Sequence, residues 1–238
     1  MSQLFLVRHG QAGPRHAYDT LSELGERQSR LLGAHLVASG VRFDRVVTGG
    51  LIRQRRTAQG VREAFEGAGL PFPEIEENSL WNEFDLGAVY EQLSEPLSHD
   101  DPEFARLYAE MVRDMQDEHA AVHRVHNYCD IAMVRAWVED AYRYDGESWL
   151  EFRTRIHDAI DSVNSGGSGE KVAVFTSATP VGISVGRALG LADEQIWRVA
   201  GASYNSGLTT LRIAADDLRL FSFNGLPHLP DSDMWSFR

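Results

Sequence analysis

The sequence predicts an α/β fold with three layers, α/β/α, around a mostly parallel central sheet, and with a helical insertion. Between residues 4 and 65, short apolar runs alternate twice with apolar residues at helical spacing, an order that is typical of parallel sheets. Between about residues 98 and 163, the chain carries helical stripes and no strand signal. We therefore interpret residues 1–238 as a single domain with a helical insertion at about 96–163.

The first half of the chain contains two predicted strand–helix pairs. The apolar run at residues 4–7 predicts a buried strand. Apolar residues at helical spacing then predict a helix from about residue 20 to Gly40, because glycine is favoured just after the end of a helix. Residues 43–48 predict a second strand, and residues 51–65 predict a second helix.

The part of the chain after the insertion returns to strand patterns. Residues 172–176 predict a third buried strand. Thr179-Pro180 predicts an N-cap followed by proline at the first helical position, and Gly190 ends that helix. Residues 208–213 and 218–223 alternate in polarity and predict a hairpin at the sheet.

The composition excludes several classes of protein. With 43% apolar and 24% charged residues, the chain is neither disordered nor fibrous. Its net charge of −12 disfavours nucleic acid as a partner. The single cysteine, Cys129, cannot form an intramolecular disulfide, so we expect a cytoplasmic protein. Neither a leader nor a run of ~18 apolar residues is visible, so we expect no membrane association.

Arg8, His9 and Gly10 directly follow the first predicted strand. A guanidinium binds phosphate oxygens in pairs, and a neutral imidazole beside it can attack phosphorus. Gly10 allows a close approach of the backbone. A histidine at a strand end is more often an ordinary polar residue with its hydrogen bonds satisfied, so the tripeptide alone leaves both interpretations open.

Three further segments favour a phosphate site. Arg53 lies near the start of the second predicted helix, at the sheet edge where ligands bind in parallel sheets. Glu83 has aromatic and leucine neighbours that would desolvate its carboxyl and favour a general acid, although a surface acid is the alternative. Ser177 and Ala178 lie where hydroxyl and N–H groups gather at a helix start, which suits an anion but also suits an ordinary cap.

Taken together, these motifs resemble those of the histidine phosphatase superfamily, also called the phosphoglycerate-mutase-like family. The resemblance extends over almost the whole chain. An apolar strand ending in Arg-His-Gly is its most specific element. The matching segments are 6–10, 21–28, 51–58, 80–87, 146–153 and 224–229.

The resemblance implies a phosphohistidine mechanism on a small phosphorylated substrate, with no metal and no cofactor. His9 would attack phosphorus, Arg8 and Arg53 would hold the phosphoryl oxygens, and Glu83 would protonate the leaving oxygen. Fixed cations stabilise the charge that develops on those oxygens. Gln11, Ser177 and Ala178 would complete the phosphate-binding residues.

One departure from the family pattern leaves two functions open. Most members carry a second histidine at the position of Ser177, and a serine hydroxyl brings no positive charge. The first hypothesis is a phosphomonoester hydrolase with reduced activity. The second is a regulatory module that binds a phosphate ligand with weak or lost catalysis. Mutase activity is a further, less favoured alternative, and the sequence fixes neither the substrate nor whether the protein forms a homodimer.

Two other patterns are set aside. His119, His123 and His126 would share one face of a helix as metal ligands do, but their acidic and polar neighbours favour a solvated face. Residues 167–171 resemble a phosphate-binding loop, yet the Gly-Lys-Ser/Thr sequence is absent and a strand follows.

Overall fold

The computed structural model describes residues 2–14, 17–114, 123–164, 169–214 and 217–237. Within these ranges, six strands form one sheet in the order β3-β2-β4-β1-β5-β6. The strands are β1 (Ser2–Arg8), β2 (Arg45–Thr48), β3 (Ile75–Glu77), β4 (Lys171–Thr176), β5 (Leu208–Ala214) and β6 (Asp217–Gly225). Strands β3, β2, β4 and β1 pair in parallel, whereas β5 and β6 are antiparallel additions. The predicted α/β fold is confirmed.

Eight α-helices accompany the sheet in the described part of the chain. They are α1 (Glu23–Ala38), α2 (Ile52–Gly67), α3 (Leu86–Asp100), α4 (Pro102–Asp114), α5 (His123–Val138), α6 (Trp149–Asn164), α7 (Ala178–Leu189) and α8 (Asp193–Gly201). None of these helices is long and apolar enough to cross a membrane. The predicted hairpin is present as β5 and β6.

Strand β1 is buried on both faces, which explains its unbroken apolar run. Phe5 and Val7 pack in a core cluster with apolar residues of α1 and α2. Leu4 and Leu6 point to the opposite face and are also fully buried, because side chains alternate along a strand. Helix α7 contacts β1 and β6. Because β1 is fixed by burial on both faces, the polar residues that follow it lie at the carboxyl edge of the sheet.

Two boundaries differ from the sequence prediction. Helix α7 begins at Ala178 with Ser177 as its N-cap, so the assignment of Thr179 as the cap was wrong by two residues. The physical reason is that the carboxylate of Glu83, a residue distant in sequence, accepts a hydrogen bond from the backbone N–H of Thr179 and caps the helix from outside. Helix α3 precedes the predicted insertion and contains Pro96 within it.

The chain divides into two compact units. The first comprises the residues up to Glu83 together with those from Arg155 onward, and it contains the whole sheet. The second is Phe84–Thr154. It has its own aromatic cluster, in which Phe84 stacks on Trp137 at a centroid distance of 4.4 Å and Trp149 meets Trp137 edge to face. The residues that the sequence selects for chemistry all belong to the first unit.

Candidate active site

His9 directly follows β1 and is 2% exposed. Its Nδ1 lies 2.7 Å from the carbonyl oxygen of Gly10, and its Nε2 lies 3.2 Å from Nε of Arg53. A carbonyl oxygen accepts only, so Nδ1 carries the proton and donates, while Arg53 donates to the lone pair of Nε2. The imidazole therefore presents the lone pair of Nε2 toward Arg53.

The surroundings of His9 keep its imidazole neutral. Burial lowers the pKa of His9 well below its ordinary value of 6.5. The positive charges of Arg53 and Arg8 lower this pKa further, and the hydrogen bond to Gly10 opposes the effect. A neutral imidazole is the form that can attack an electrophile. The same cations would attract a phosphate monoester.

The backbone around His9 is held from two directions. The N–H of Gly10 donates to Oγ1 of Thr57 at 2.9 Å, which ties the loop to helix α2. On the other side, the carbonyl oxygen of His9 accepts hydrogen bonds from Nδ2 of Asn205 at 3.2 Å and from the N–H of Ser206 at 3.1 Å. These contacts hold the backbone that carries the imidazole on both sides.

Arg53 lies in the first turn of α2, where its side chain is 8% exposed. While Nε donates to His9, Nη1 donates to Oδ1 of Asp19 at 2.9 Å. The guanidinium also lies over the ring of Tyr18, 5.0 Å from its centroid. Asp19 and Tyr18 were not selected from the sequence. The three contacts hold Arg53 with one edge toward His9.

Arg8, the last residue of β1, is almost fully buried. One terminal nitrogen donates to the carbonyl oxygen of Ser203, and Nη2 donates to that of Phe237 at 2.7 Å. Within the described residues its Nε is buried and has no hydrogen-bond partner. Burial lowers the pKa of Arg8, while Tyr18 and Glu83 act in the opposite direction. An unpaired buried N–H on a cation is a strong donor for an anion.

Glu83 and Ala178 meet at the start of α7. Oε2 of Glu83 accepts from the backbone N–H of Thr179 at 3.1 Å, and Ala178 is the first helical residue. The Glu83 side chain is half-buried and interacts electrostatically with Arg8. This carboxylate therefore lies at the same sheet edge as the two arginines.

Ser177 follows β4 as His9 follows β1. The two strands are paired, with Arg8 opposite Thr176, and the N–H of His9 donates to the carbonyl oxygen of Thr176 at 2.8 Å. Ser177 is 1% exposed, and its Oγ accepts from Nε2 of Gln54 at 2.8 Å. The structure thus places Ser177 and His9 at adjacent strand ends.

Gln11 is held by the start of α1. Its N–H donates to Oε1 of Gln28 at 2.7 Å, and its own Oε1 accepts from Oγ of Ser22 at 2.7 Å. These bonds occupy Gln11 within its loop.

The described residues contain no group of three or more His, Cys, Asp or Glu side chains that could hold a metal ion. Of the three histidines considered as ligands, His119 lies outside the described residues, as do the side chains of His123 and His126. The charged groups that act most strongly on His9 are the guanidiniums of Arg53 and Arg8. Such groups suit an anionic ligand rather than a cation.

Comparison with a profile of the histidine phosphatase superfamily (branch 1) gives a match over residues 4–130 and 126–225. The match covers the strand that delivers Arg8 and His9, the helix that carries Arg53, and Ser177. The chain belongs to the histidine phosphatase superfamily, as the resemblance in its motifs indicated.

Several solved structures share the fold of this chain. The chain is similar to the Bacillus stearothermophilus protein YhfR, with a TM-score of 0.65 and 18% identity over 96% of this chain and 99% of the other. For the phosphoglycerate mutase of Bacillus anthracis the TM-score is 0.61, with 16% identity over 95% and 94%. For the α-ribazole phosphatase of Shigella flexneri it is 0.59, with 19% identity over 94% and 97%.

Among curated proteins, the chain is similar to serine/threonine-protein phosphatase Pgam5, mitochondrial, of Caenorhabditis elegans and Caenorhabditis briggsae. Identity is 25% and 26% over 168 residues, which is 62% of this chain. The aligned region covers 52% and 53% of those two proteins, so the chain spans about half the length of the curated relatives it matches.

Proposed function

We propose that this protein is a phosphomonoester hydrolase that acts on a small phosphorylated metabolite through a phosphohistidine intermediate. The observation that carries the proposal is the pairing of Nε2 of His9 with Nε of Arg53 at 3.2 Å. It combines a buried imidazole of lowered pKa with a cation directly beside the nucleophilic nitrogen. The family membership and the phosphatases among its relatives support the same reaction.

In the proposed first step, Arg53 transfers its hydrogen bond from Nε2 of His9 to a phosphoryl oxygen, which frees the lone pair of Nε2. This nitrogen then attacks phosphorus, and the bond to the leaving oxygen breaks. Charge spreads over three phosphoryl oxygens, and Arg53 and Arg8 stabilise it. For Arg8, the proposed donor to an oxygen is Nε, which is buried and has no hydrogen-bond partner within the described residues. The terminal nitrogens each donate one N–H to a carbonyl group, of Ser203 and of Phe237. At the N-terminus of α7, the backbone N–H of Ala178 is a further proposed donor, since Thr179 donates to Glu83 and Pro180 has no N–H.

Glu83 is the proposed general acid. In protonated form, its carboxyl gives the proton to the leaving oxygen, and in the second step the carboxylate takes a proton from the water that hydrolyses the phosphohistidine. Such a residue contributes about 10²- to 10⁴-fold to the rate. The hydrogen bond from Thr179 keeps Oε2 at the helix start, which is the proposed position of the phosphoryl group.

The test is hydrolysis of a generic aryl phosphate between pH 5 and 8 by the wild type and three variants. We expect weak wild-type activity that His9→Ala and Arg53→Ala abolish. Arg55→Ala is the matched control on the same helix, since Arg55 forms an exposed ion pair with Glu77, and it should retain wild-type activity. Equal phosphate release by the wild type and His9→Ala would overturn the proposal. Dependence on an added divalent metal would contradict it as well.

The second candidate function, a phosphate-binding regulatory module, is favoured by one observation, the serine at position 177. Titration calorimetry with inorganic phosphate separates the two. Binding without turnover, lost in Arg53→Ala, would support the module. Turnover that rises in Ser177→His would support a hydrolase limited by the missing histidine. We also propose a cytoplasmic location, because a chain whose one cysteine is Cys129 cannot form an intramolecular disulfide.

A further inference from the structure

The side-chain amide of Gln54 is fully buried beside Ser177. Its Oε1 accepts from the backbone N–H of Leu51 at 3.3 Å. Its Nε2 donates to the carbonyl oxygen of Trp81 at 3.2 Å and to Oγ of Ser177 at 2.8 Å. All of the amide's contacts are therefore with groups that the fold holds in place.

Only one orientation of this amide satisfies its partners. If the amide were reversed, the NH₂ group would face the N–H of Leu51 and the oxygen would face the carbonyl of Trp81. Both contacts would then be repulsive, and burial of polar groups without partners destabilises the fold. The nitrogen of Gln54 must therefore face Ser177, and Ser177 must be the acceptor in that bond.

The consequence for Ser177 is that its hydroxyl proton points away from Gln54. Within the described residues, the Ser177 side chain takes part in one hydrogen bond, which it accepts from Gln54, and its hydroxyl donates to no protein group. The neighbouring Thr176 differs, because its hydroxyl donates to the carbonyl of Trp81 at 2.6 Å. Ser177 is thus a buried hydroxyl with an unused donor, at the strand end beside His9.

We propose that Gln54 is a positioning residue that sets the Ser177 hydroxyl as a neutral donor to a phosphoryl oxygen of the substrate. This inference rests on the proposed function. Accepting a bond from Gln54 also polarises the hydroxyl, since hydrogen bonds in a chain strengthen one another. Gln54 and Ser177 together take the place of the histidine that most family members carry at position 177, whose imidazole can be charged or can titrate. The two side chains therefore supply a donor that does not change with pH.

The test is a double-mutant cycle with Gln54→Met and Ser177→Ala, measured as kcat and KM on an aryl phosphate. A hydrogen bond to a charged group is worth ~10- to 100-fold, and we expect Ser177→Ala to lose this factor. Gln54→Met should lose most of the same factor. Its loss should be divided between kcat and KM as the loss in Ser177→Ala is. In the Ser177→Ala background, Gln54→Met should have less than a twofold further effect, because Gln54 acts through Ser177. Gln59→Met on the same helix is the control, since Gln59 bonds only weakly to exposed Glu63 at 3.5 Å.

Gln54→Leu provides a second route if Gln54→Met does not fold, because it also removes the donor to Ser177 and places no oxygen against the carbonyl of Trp81. We expect a loss of activity like that of Ser177→Ala, and no further loss in the double variant.

The outcomes separate this inference from the proposed function. If the wild type hydrolyses the aryl phosphate and the losses from the two substitutions multiply, the positioning role is wrong and the function stands. Full activity in Gln54→Met leads to the same conclusion. If the wild type neither hydrolyses the ester nor binds inorganic phosphate in calorimetry, the proposed function fails, and the positioning role fails with it.

Discussion

Asp19 holds Arg53 at two points. Its Oδ1 accepts from Nη1 of the guanidinium at 2.9 Å and from the backbone N–H of Arg53 at 3.4 Å. Its Oδ2 accepts from the N–H of Ile52 at 3.1 Å. One carboxylate thus caps the start of α2 and fixes the side chain that faces His9. A negative charge at a helix N-terminus is itself stabilising.

From this relationship, we predict that Asp19→Ala lowers kcat/KM by about tenfold, since an interaction of roughly 1.4 kcal/mol corresponds to that factor. Asp19→Asn keeps one acceptor oxygen and should lose less. The control is Glu26→Gln, which removes a carboxylate that pairs with Arg56 on the same helix and should leave kcat/KM unchanged. If Asp19→Ala were as active as the wild type, Arg53 would not depend on this carboxylate.

The protonation state of His9 gives a second prediction. Burial and the two arginines lower its pKa well below 6.5, so the imidazole should stay neutral, with the proton on Nδ1, as the pH falls through 6.5. A ¹⁵N NMR titration of the histidine rings measures both properties, and the His9 signals are assigned by their loss in His9→Ala. A midpoint at or above pH 6.5, or a proton on Nε2 at neutral pH, would contradict the geometry.

Much of this site could be predicted because of where its residues lie along the chain. His9 and Ser177 each follow a buried apolar run, and Arg53 lies near the start of the helix after another. In a parallel sheet such positions meet at one edge, so strand prediction alone brings them together. Their approximate placement requires no knowledge of side-chain contacts.

The positioning residues could not be predicted in this way. Asp19 lies in an irregular loop, and Asn205 follows the short helix α8, so neither has a periodic signal. The partners of Arg8 are backbone carbonyls, which carry no sequence information at all. Helix α3 is different, because Val89, Tyr90 and Leu93 lie buried at helical spacing and provide a signal, although Pro96 obscures it.

His228 gives a prediction about stability. Its Nε2 lies 2.8 Å from Oγ of Ser206, and burial, followed by the charge of His35, lowers its pKa from 6.5 to about 4. Between these two values, the unfolded chain binds more protons than the folded protein, so the free energy of unfolding falls as the pH falls. At about 1.4 kcal/mol for each unit of pKa, the loss from this residue is about 3 kcal/mol.

Urea unfolding at pH 7 and pH 4.5 tests this contribution. We expect His228→Gln to lose markedly less free energy of unfolding between the two pH values than the wild type does. His99→Gln is the control for the loss of one histidine, because His99 is exposed and pairs with Asp100 at the surface, and its replacement should change the difference much less than His228→Gln does. An identical dependence in His228→Gln and the wild type would assign the acid sensitivity to other groups.

The last prediction concerns the contact between α1 and the loop that carries His9. Gly25 of α1 packs against this loop so closely that a Cβ on it would collide with the backbone carbonyl of Gln11. A backbone atom cannot turn aside as a side chain can, so Gly25→Ala should shift the loop. Overpacking of this kind costs about 1–3 kcal/mol. We expect a lower free energy of unfolding and a reduced kcat/KM, because the backbone of His9 moves with the loop.

Gly67 is the matched control for this substitution, since it ends α2 and a Cβ there would meet nothing within 4 Å. Gly67→Ala should raise the free energy of unfolding by up to about 1 kcal/mol, because alanine loses less backbone entropy in a helix, and it should leave kcat/KM unchanged. Chemical denaturation and steady-state kinetics of both variants provide the comparison. If Gly25→Ala behaved like Gly67→Ala, close packing against α1 would not be what fixes the position of His9.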